Sequence, residues 1–160
     1  MKIRKFESSD RQACIELFKS NIPKFFLAEE MAGFEEFLSK FTQENYWVLE
    51  NEDEILACGG IGIRPPEGRL HFGMVANNWH KKGLGTKLLK FRLIKLIEIP
   101  QVTAISVDTS QHNPDFFRRF GFNEISFKEN AYGPGLHRCD MRIELPSSMA
   151  ERQNLIKKLG

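Results

Sequence analysis

His80-Lys81-Lys82-Gly83-Leu84-Gly85-Thr86 separates a strand-like run ending at Ala76 from the strongest helical pattern in the chain. Beyond it, Leu88, Leu89, Leu93, Leu96 and Ile97 form an apolar face while Lys87, Lys90 and Lys95 point elsewhere. Pro100 marks the stop. Val102 to Val107 is rich in β-branched residues and reads as a buried strand. Strand, helix, strand at this length is a crossover unit, so the flanking strands are expected to be parallel neighbours.

Upstream, Ile3 to Phe6 reads as a short strand, and Ser9-Asp10-Arg11-Gln12 has the form of a capping box before Ala13, Cys14, Leu17 and Phe18. A second helix is expected after Pro23, with Met31, Phe34, Leu38 and Phe41 on one stripe. Tyr46 to Leu49 and Ile55 to Ile63 read as strands around the polar turn Asn51-Glu52-Asp53-Glu54, with Gly59, Gly60 and Gly62 predicting a weakened or bulged second strand. Pro65-Pro66-Glu67-Gly68 closes a hairpin, and Arg69 to Ala76 returns with Leu70, Phe72, Met74 and Ala76 on one face. Downstream come a short helix around Pro114 to Phe120, a strand near Phe122 to Phe127 and a last strand His137 to Leu145. Pro146-Ser147-Ser148 opens a final amphipathic helix. The whole is an α/β (α+β) pattern: a mixed sheet of six to seven strands, mostly antiparallel around one parallel pair, flanked by about four helices. It predicts one domain over residues 1–146 with a helical extension over 147–160.

With 160 residues, 41% of them hydrophobic, the chain is long enough to bury a core without disulfides or metals. A net charge of +2 is too mild to argue for a nucleic-acid partner. Cys14, Cys58 and Cys139 are odd in number and widely spaced, the pattern of buried thiols in a reducing cytoplasm. Four scattered histidines and no Cys-x-x-Cys give no metal-site spacing. No apolar run predicts a signal peptide or a membrane span.

The turn has chemical consequences. The first turn of a helix leaves N–H groups unpaired, the helix dipole makes that end partly positive, and glycines let a bulky anion approach the backbone. Lys81, Lys82 and Lys87 add charge nearby. The stretch does not supply the Gly-Lys-Ser/Thr of a P-loop, and Leu88 stands where a dinucleotide fingerprint needs its third small residue. On the residues alone, an anion cradle and a plain turn into a surface helix both remain open.

In context, His80-Lys81-Lys82-Gly83-Leu84-Gly85 resembles the signature of the GNAT superfamily of N-acetyltransferases: Gln or Arg, two residues, Gly, one residue, then Gly or Ala. His80 replaces the usual Gln or Arg, and Val75 stands at the family's strand valine. Phe116-Phe117-Arg118-Arg119-Phe120-Gly121-Phe122 is similar to the family's second signature, aromatic-Tyr-x-x-x-Gly-Phe. The resemblance covers Ile3 to about Leu145 in element order.

It implies a GNAT-type fold whose parallel central strands splay apart to hold acetyl-CoA, with a primary amine, on a small molecule or a peptide, attacking the thioester directly. Residues 80–86 (His80, Lys81, Lys82, Gly83, Leu84, Gly85 and Thr86) would hold the pyrophosphate, and Met74, Val75 and Ala76 would lend backbone groups to the pantetheine arm. Gln111 and Asn113 are candidates to hold that arm, although Asn113 also suits a cap of the Pro114 helix. Phe116 and Phe117 would line the channel. The family's usual proton-donating tyrosine falls at Phe117, which leaves Ser110, a water or the amine's own proton to protonate the sulfur. His71 is the candidate base, set against an ordinary sheet-surface histidine, with Glu50, Glu67, His137 and Asp140 as other titratable groups. Phe25, Phe26 and Tyr132 lie on loops that would flank the acceptor mouth or simply pack. With the composition and charge above, the expectation is no metal, no nucleic acid, no membrane and a cytoplasmic monomer or homodimer. Phe117 also motivates the alternative of a non-catalytic acyl-CoA-binding domain.

Overall fold

The apolar runs become seven strands in one sheet, ordered β1-β2-β3-β4-β5-β7-β6, in a computed structural model that describes residues 1–40 and 45–160. The chain divides into two compact units, residues 1–60 with 71–89, and residues 61–70 with 90–160.

The first unit contains β1 (Lys2–Lys5), α1 (Arg11–Ser20), α2 (Met31–Lys40) and β2 (Tyr46–Asn51), and most of β3 (Glu54–Arg64) and β4 (Glu67–Val75). It also holds the start of α3 (Leu84–Ile97). β1 and β3 each pair antiparallel with β2. One core gathers Cys14, Phe18, Phe34, Leu38, Tyr46, Val48 and Met74, and a second gathers Leu49, Leu56, Ala57, Leu84 and Leu88. The helical stripe of Met31, Phe34 and Leu38 faces the first core as expected; Phe41 lies outside the described residues. All three cysteines are free and buried.

Two local expectations move. The capping box is not at Ser9. A short 3-10 turn over Ser8–Asp10 precedes α1, and the Asp10 carboxylate accepts the Glu7 N–H at 2.8 Å. Arg4 grips the same carboxylate with two N–H donors at 2.8 and 2.9 Å and gives its Nε to Glu50 at 3.0 Å. A carboxylate accepts more such bonds than the Ser9 hydroxyl can, which decides the cap. Gly59 and Gly60 of β3 keep regular register with Trp47 and Tyr46; the irregularity of β3 lies at Leu56 instead, the extra residue between Ala57 and Ile55, which pair with the consecutive Leu49 and Glu50. At Gly60 a Cβ would stand 2.6 Å from the Asn45 carbonyl oxygen, so glycine permits close backbone approach there.

The second unit contains β5 (Ala104–Ser110), α4 (Pro114–Arg118), β6 (Asn123–Gly133), β7 (Leu136–Glu144) and α5 (Met149–Leu159). The parallel pair is present: Glu67, Gly68 and Arg69 of β4 register with Ala104, Ile105 and Ser106 of β5. β7 pairs antiparallel with β5 and with β6. The strand after Pro100 starts and ends later than expected, so Ser110 closes β5 instead of lying in the following loop. β6 runs on to Gly133, six residues past the expected end near Phe127.

One face of this unit carries a polar lattice. Arg69 bridges Ser106 (3.2 Å) and Asp108 (2.6 Å), Ser106 donates to Glu67 (2.5 Å), and Arg142 reaches the same carboxylate (2.5 Å). Tyr132 donates to the other Asp108 oxygen at 2.6 Å.

The extension is tied down by a buried guanidinium. Ser148 caps α5 by accepting the Glu151 N–H, and Arg152, 2% exposed, donates to the carbonyls of Pro146 (2.7 Å), Ile97 (3.2 Å) and Ile99 (2.8 Å). Ile97 ends α3, where helix carbonyls lack intrahelical partners and a cation meets the negative end of the helix dipole, while the Ile99 carbonyl also accepts the Val102 N–H at 3.1 Å.

Two outcomes are expected. Arg152→Met strips donors from buried carbonyls and should cost roughly 2–4 kcal/mol in denaturant unfolding; a loss under about 0.5 kcal/mol would show that the guanidinium does not anchor α5. Arg4, through its hydrogen bonds above all, holds the Asp10 carboxyl below its usual range although burial opposes this. A folded pKa below the unfolded value of about 3.9 contributes stability at neutral pH that is lost as pH falls through the folded pKa. Asp10→Asn should therefore flatten the acid limb of a stability-versus-pH curve, and an unchanged limb would remove Asp10 from it.

Candidate functional site

In the first unit, the end of β4 and the turn into α3 are fixed by long-range hydrogen bonds. The Val75 carbonyl accepts from Asn21 Nδ2 at 2.9 Å and faces His80 Nε2 at 2.9 Å, which is the ring's donor in that contact. The next amide, of Ala76, donates to the Leu56 carbonyl at 2.9 Å. Asn77 N–H donates to Ser20 Oγ at 3.1 Å, and Asn77–Trp79 form a single 3-10 turn. His80 also sets its ring edge against Phe25, with centroids 5.1 Å apart.

The turn itself is bent in an uncommon way. Lys81 has φ 62° and Gly83 φ 84°, both left-handed. For a lysine this costs about 1–2 kcal/mol, so surrounding contacts have to hold it. Gly83 meets the requirement freely, and a Cβ there would find no atom within 4 Å. The chain then enters α3, with Lys87 N–H bonding the Gly83 carbonyl at 3.0 Å. The N–H groups of Leu84, Gly85 and Thr86 thus fall in the first turn, where no carbonyl of the helix precedes them. Leu84, only 4% exposed, anchors that turn in the second core. Open space over Gly83, exposed backbone and a helix N-terminus together form a cradle suited to a pyrophosphate.

The lysines divide their tasks. Lys82 lies over the Trp79 ring, 4.6 Å from its centroid, and Lys87 donates to the Met1 carbonyl at 3.2 Å. Met74, 6% exposed, belongs to the first core, so only its backbone can face a ligand. Val75 O and Ala76 N, two of the backbone groups expected to meet the pantetheine arm, already have protein partners.

His71 departs from strict alternation. Phe72 has φ 38°, a strained value for a bulky residue. The pleat breaks there, and the rings of both His71 and Phe72 lie against Phe37, at 5.8 and 4.8 Å. His71 is therefore not opposite Phe72, and it does not simply share the face of Val75, which packs on the second core. Phe26 stacks on Phe18 at 4.4 Å, a packing role.

In the second unit, Ser110 is 4% exposed and its Oγ accepts the His112 N–H at 3.4 Å. Gln111 uses both ends of its amide on the β6–β7 hairpin, giving Nε2 to Gly135 O at 3.0 Å and taking the His137 N–H at 2.9 Å. Asn113 precedes α4, but its side chain donates to Thr109 Oγ1 at 3.1 Å and not to the helix. Phe117 is 8% exposed, in edge contact with Phe116 (5.2 Å) and Phe122 (5.7 Å). Glu67 is held below the carboxylate range by Ser106 first and Arg142 next, against burial. Burial pushes Asp140 up, yet Ser126 and Arg138 outweigh it and leave the group below its usual value. Both are poor proton acceptors near neutrality. Glu50 belongs to the Arg4 pair, and His137 Nδ1 accepts the Asn130 N–H at 2.9 Å.

Ser20 and Asn21 carry no sequence signal that marks them for the site. An Asn just after a helix reads as an ordinary stop signal, and its reach to Val75, 54 residues away, leaves no local trace. Asn21 is 3% exposed and its Oδ1 has no hydrogen-bond partner, a condition that costs about 1–3 kcal/mol. Among the described residues no cluster suited to a metal ion occurs and no helix is long and apolar enough to cross a membrane.

Comparison with known proteins agrees with this geometry. The family model described as an acetyltransferase (GNAT) domain matches residues 10–145. Solved structures share the fold at low identity. Ard1 from Thermoplasma volcanium superposes with a TM-score of 0.74 at 14% identity, covering 91% of this chain and 97% of that one. The ribosomal-protein-alanine N-acetyltransferase from Brucella melitensis gives 0.70 at 18%, covering 91% and 100%. An aminoglycoside 6'-N-acetyltransferase complexed with coenzyme A gives 0.71 at 15%, covering 91% and 98%. No curated protein sequence matched. With the family model spanning the strand, the turn and the helix just described, the chain belongs to the GNAT acetyltransferase family.

Proposed function

We propose that the protein is an acetyl-CoA-dependent N-acetyltransferase that acts on a primary amine of a small molecule or a peptide. The observation that carries this reading is the turn at residues 80–86, with Lys81 and Gly83 left-handed and open space over Gly83. The domain proposed to do this spans residues 1–146, with 147–160 as an extension.

Acetyl-CoA supplies the acyl group activated as a thioester. The first-turn amides of α3 bind its pyrophosphate, and Lys81 and Lys82, both exposed, add positive charge beside them. Because Val75 O and Ala76 N are engaged, the pantetheine arm takes its hydrogen bonds from other backbone groups of β4. His71, an imidazole lying against the Phe37 ring, is the candidate to receive the amine's proton. Phe117 carries no proton to give, so Ser110, a water or the amine's own proton serves the departing thiolate, a tolerable leaving group near neutral pH. Relatives of this fold include proteins named for ribosomal-protein alanine and for aminoglycosides, consistent with an amine acceptor of either kind.

The aromatic cluster at Phe117 favours a second reading, an acyl-CoA-binding domain without transferase activity. Isothermal titration with acetyl-CoA, followed by a thiol-release assay over a panel of small amines and peptides, separates them. Binding with amine-dependent thiol release supports the transferase; binding without release over the panel supports the second reading; no binding removes both.

The turn can be tested alone. Asn tolerates left-handed backbone, so Gly83→Asn should keep its melting temperature within a few degrees while its side chain fills the cradle. Acetyl-CoA affinity is expected to fall at least tenfold, about 1.4 kcal/mol. Equal affinity in the folded variant would place the pyrophosphate elsewhere.

A further inference from the structure

Asn21 is buried, and its amide is used one-sidedly. Nδ2 donates to Leu17 O and Val75 O, both at 2.9 Å, while Oδ1 has no partner. Turning the amide over would set its oxygen against two carbonyl oxygens, so the donors, not the acceptor, are what the site requires. Its neighbour Ser20 donates to Leu17 O at 2.7 Å and accepts the Asn77 N–H at 3.1 Å. The last residue of α1 and the one after it thus hold both ends of the segment Val75-Ala76-Asn77. With Leu56 on the Ala76 amide and His80 on the Val75 carbonyl, the Val75–Ala76 peptide plane is bonded on both of its edges. That plane is the root of the turn whose left-handed Lys81 local preference does not favour.

We propose that Asn21, assisted by Ser20, is a positioning residue for the acetyl-CoA turn: it fixes the Val75 carbonyl so that the chain leaves β4 on the path that builds the cradle. The proposal rests on the functional reading above. It adds that the donor site depends on the C-terminal end of α1, far from the glycine motif in sequence. Since Asn21 O also accepts the N–H groups of Phe25 (2.9 Å) and Phe26 (3.2 Å), the connection after α1 shares this anchor with the turn.

The test measures acetyl-CoA binding by isothermal titration and steady-state kinetics in wild type, Asn21→Leu, Asn21→Asp and Ser20→Ala, with thermal melts as the control for folding. Asn21→Leu removes the donors at similar volume, and Asn21→Asp puts oxygen against the Val75 carbonyl. Both are expected to raise Kd and KM for acetyl-CoA about tenfold or more, with KM for the amine changed less than about threefold. Ser20→Ala should move acetyl-CoA affinity in the same direction by a few-fold. A folded Asn21→Leu with wild-type Kd overturns the proposal while leaving the transferase reading intact. If neither Asn21 variant folds, Ser20→Ala decides: unchanged Kd overturns the proposal, weakened Kd with an unchanged melting temperature upholds it. Failure of the wild type to bind acetyl-CoA removes the functional reading, and this one with it.

Discussion

The carbonyl oxygen of Val75 has two lone pairs, and both are occupied from within the protein, by Asn21 and by His80. This fixes where β4 stops being a strand. A carbonyl facing an open edge would allow the peptide to rotate, and the turn beyond it has no regular ladder of its own to restore it. From Val75 the chain passes through one 3-10 turn, a left-handed lysine and a left-handed glycine into a helix anchored by buried Leu84. The first-turn amides of α3 are useful for binding an anion only because the residues before them are immobilised by bonds made elsewhere.

His80 illustrates how one residue can answer to two constraints. It occupies the family position usually held by Gln or Arg, which suggests a ligand contact. Its observed hydrogen bond runs backward to Val75, and its ring edge meets Phe25. An imidazole is short, flat and able to donate in the plane of its ring, so it can close this turn where a longer flexible side chain would carry more entropy to lose. The unusual residue is thereby compatible with the usual turn.

Most of the fold was legible in the residues. Leu88, Leu89, Leu93, Leu96 and Ile97 announce α3 because helical periodicity persists when one face is buried, and the crossover between β4 and β5 is implied by its length. Boundaries were less legible, since a strand continues as far as its neighbour offers hydrogen bonds. Thus β6 runs to Gly133, pairing again with β7 at Leu136 after an irregular stretch beyond Lys128 whose residues carry no strand pattern. The capping box runs from Glu7 to Asp10 and not from Ser9, because Arg4, on a different element, holds the Asp10 carboxylate where it accepts the Glu7 N–H. The side of β4 that His71 takes is not legible for a related reason: alternation would set it opposite Phe72, but alternation assumes an unbroken pleat, and the backbone at Phe72 breaks it.

By itself the sequence determined the periodicities, the two signatures and the absence of a tyrosine at Phe117, because these depend on residue identity at fixed spacing. Only the tertiary structure decided which groups remain available for chemistry. It committed both ends of the Gln111 amide to a hairpin, paired Glu67 and Asp140 with arginines, and brought Asn21 to Val75 across 54 positions. Hydrogen-bond capacity is finite, and how a side chain uses it is set by whatever the fold places within about 3 Å. No spacing along the chain encodes that.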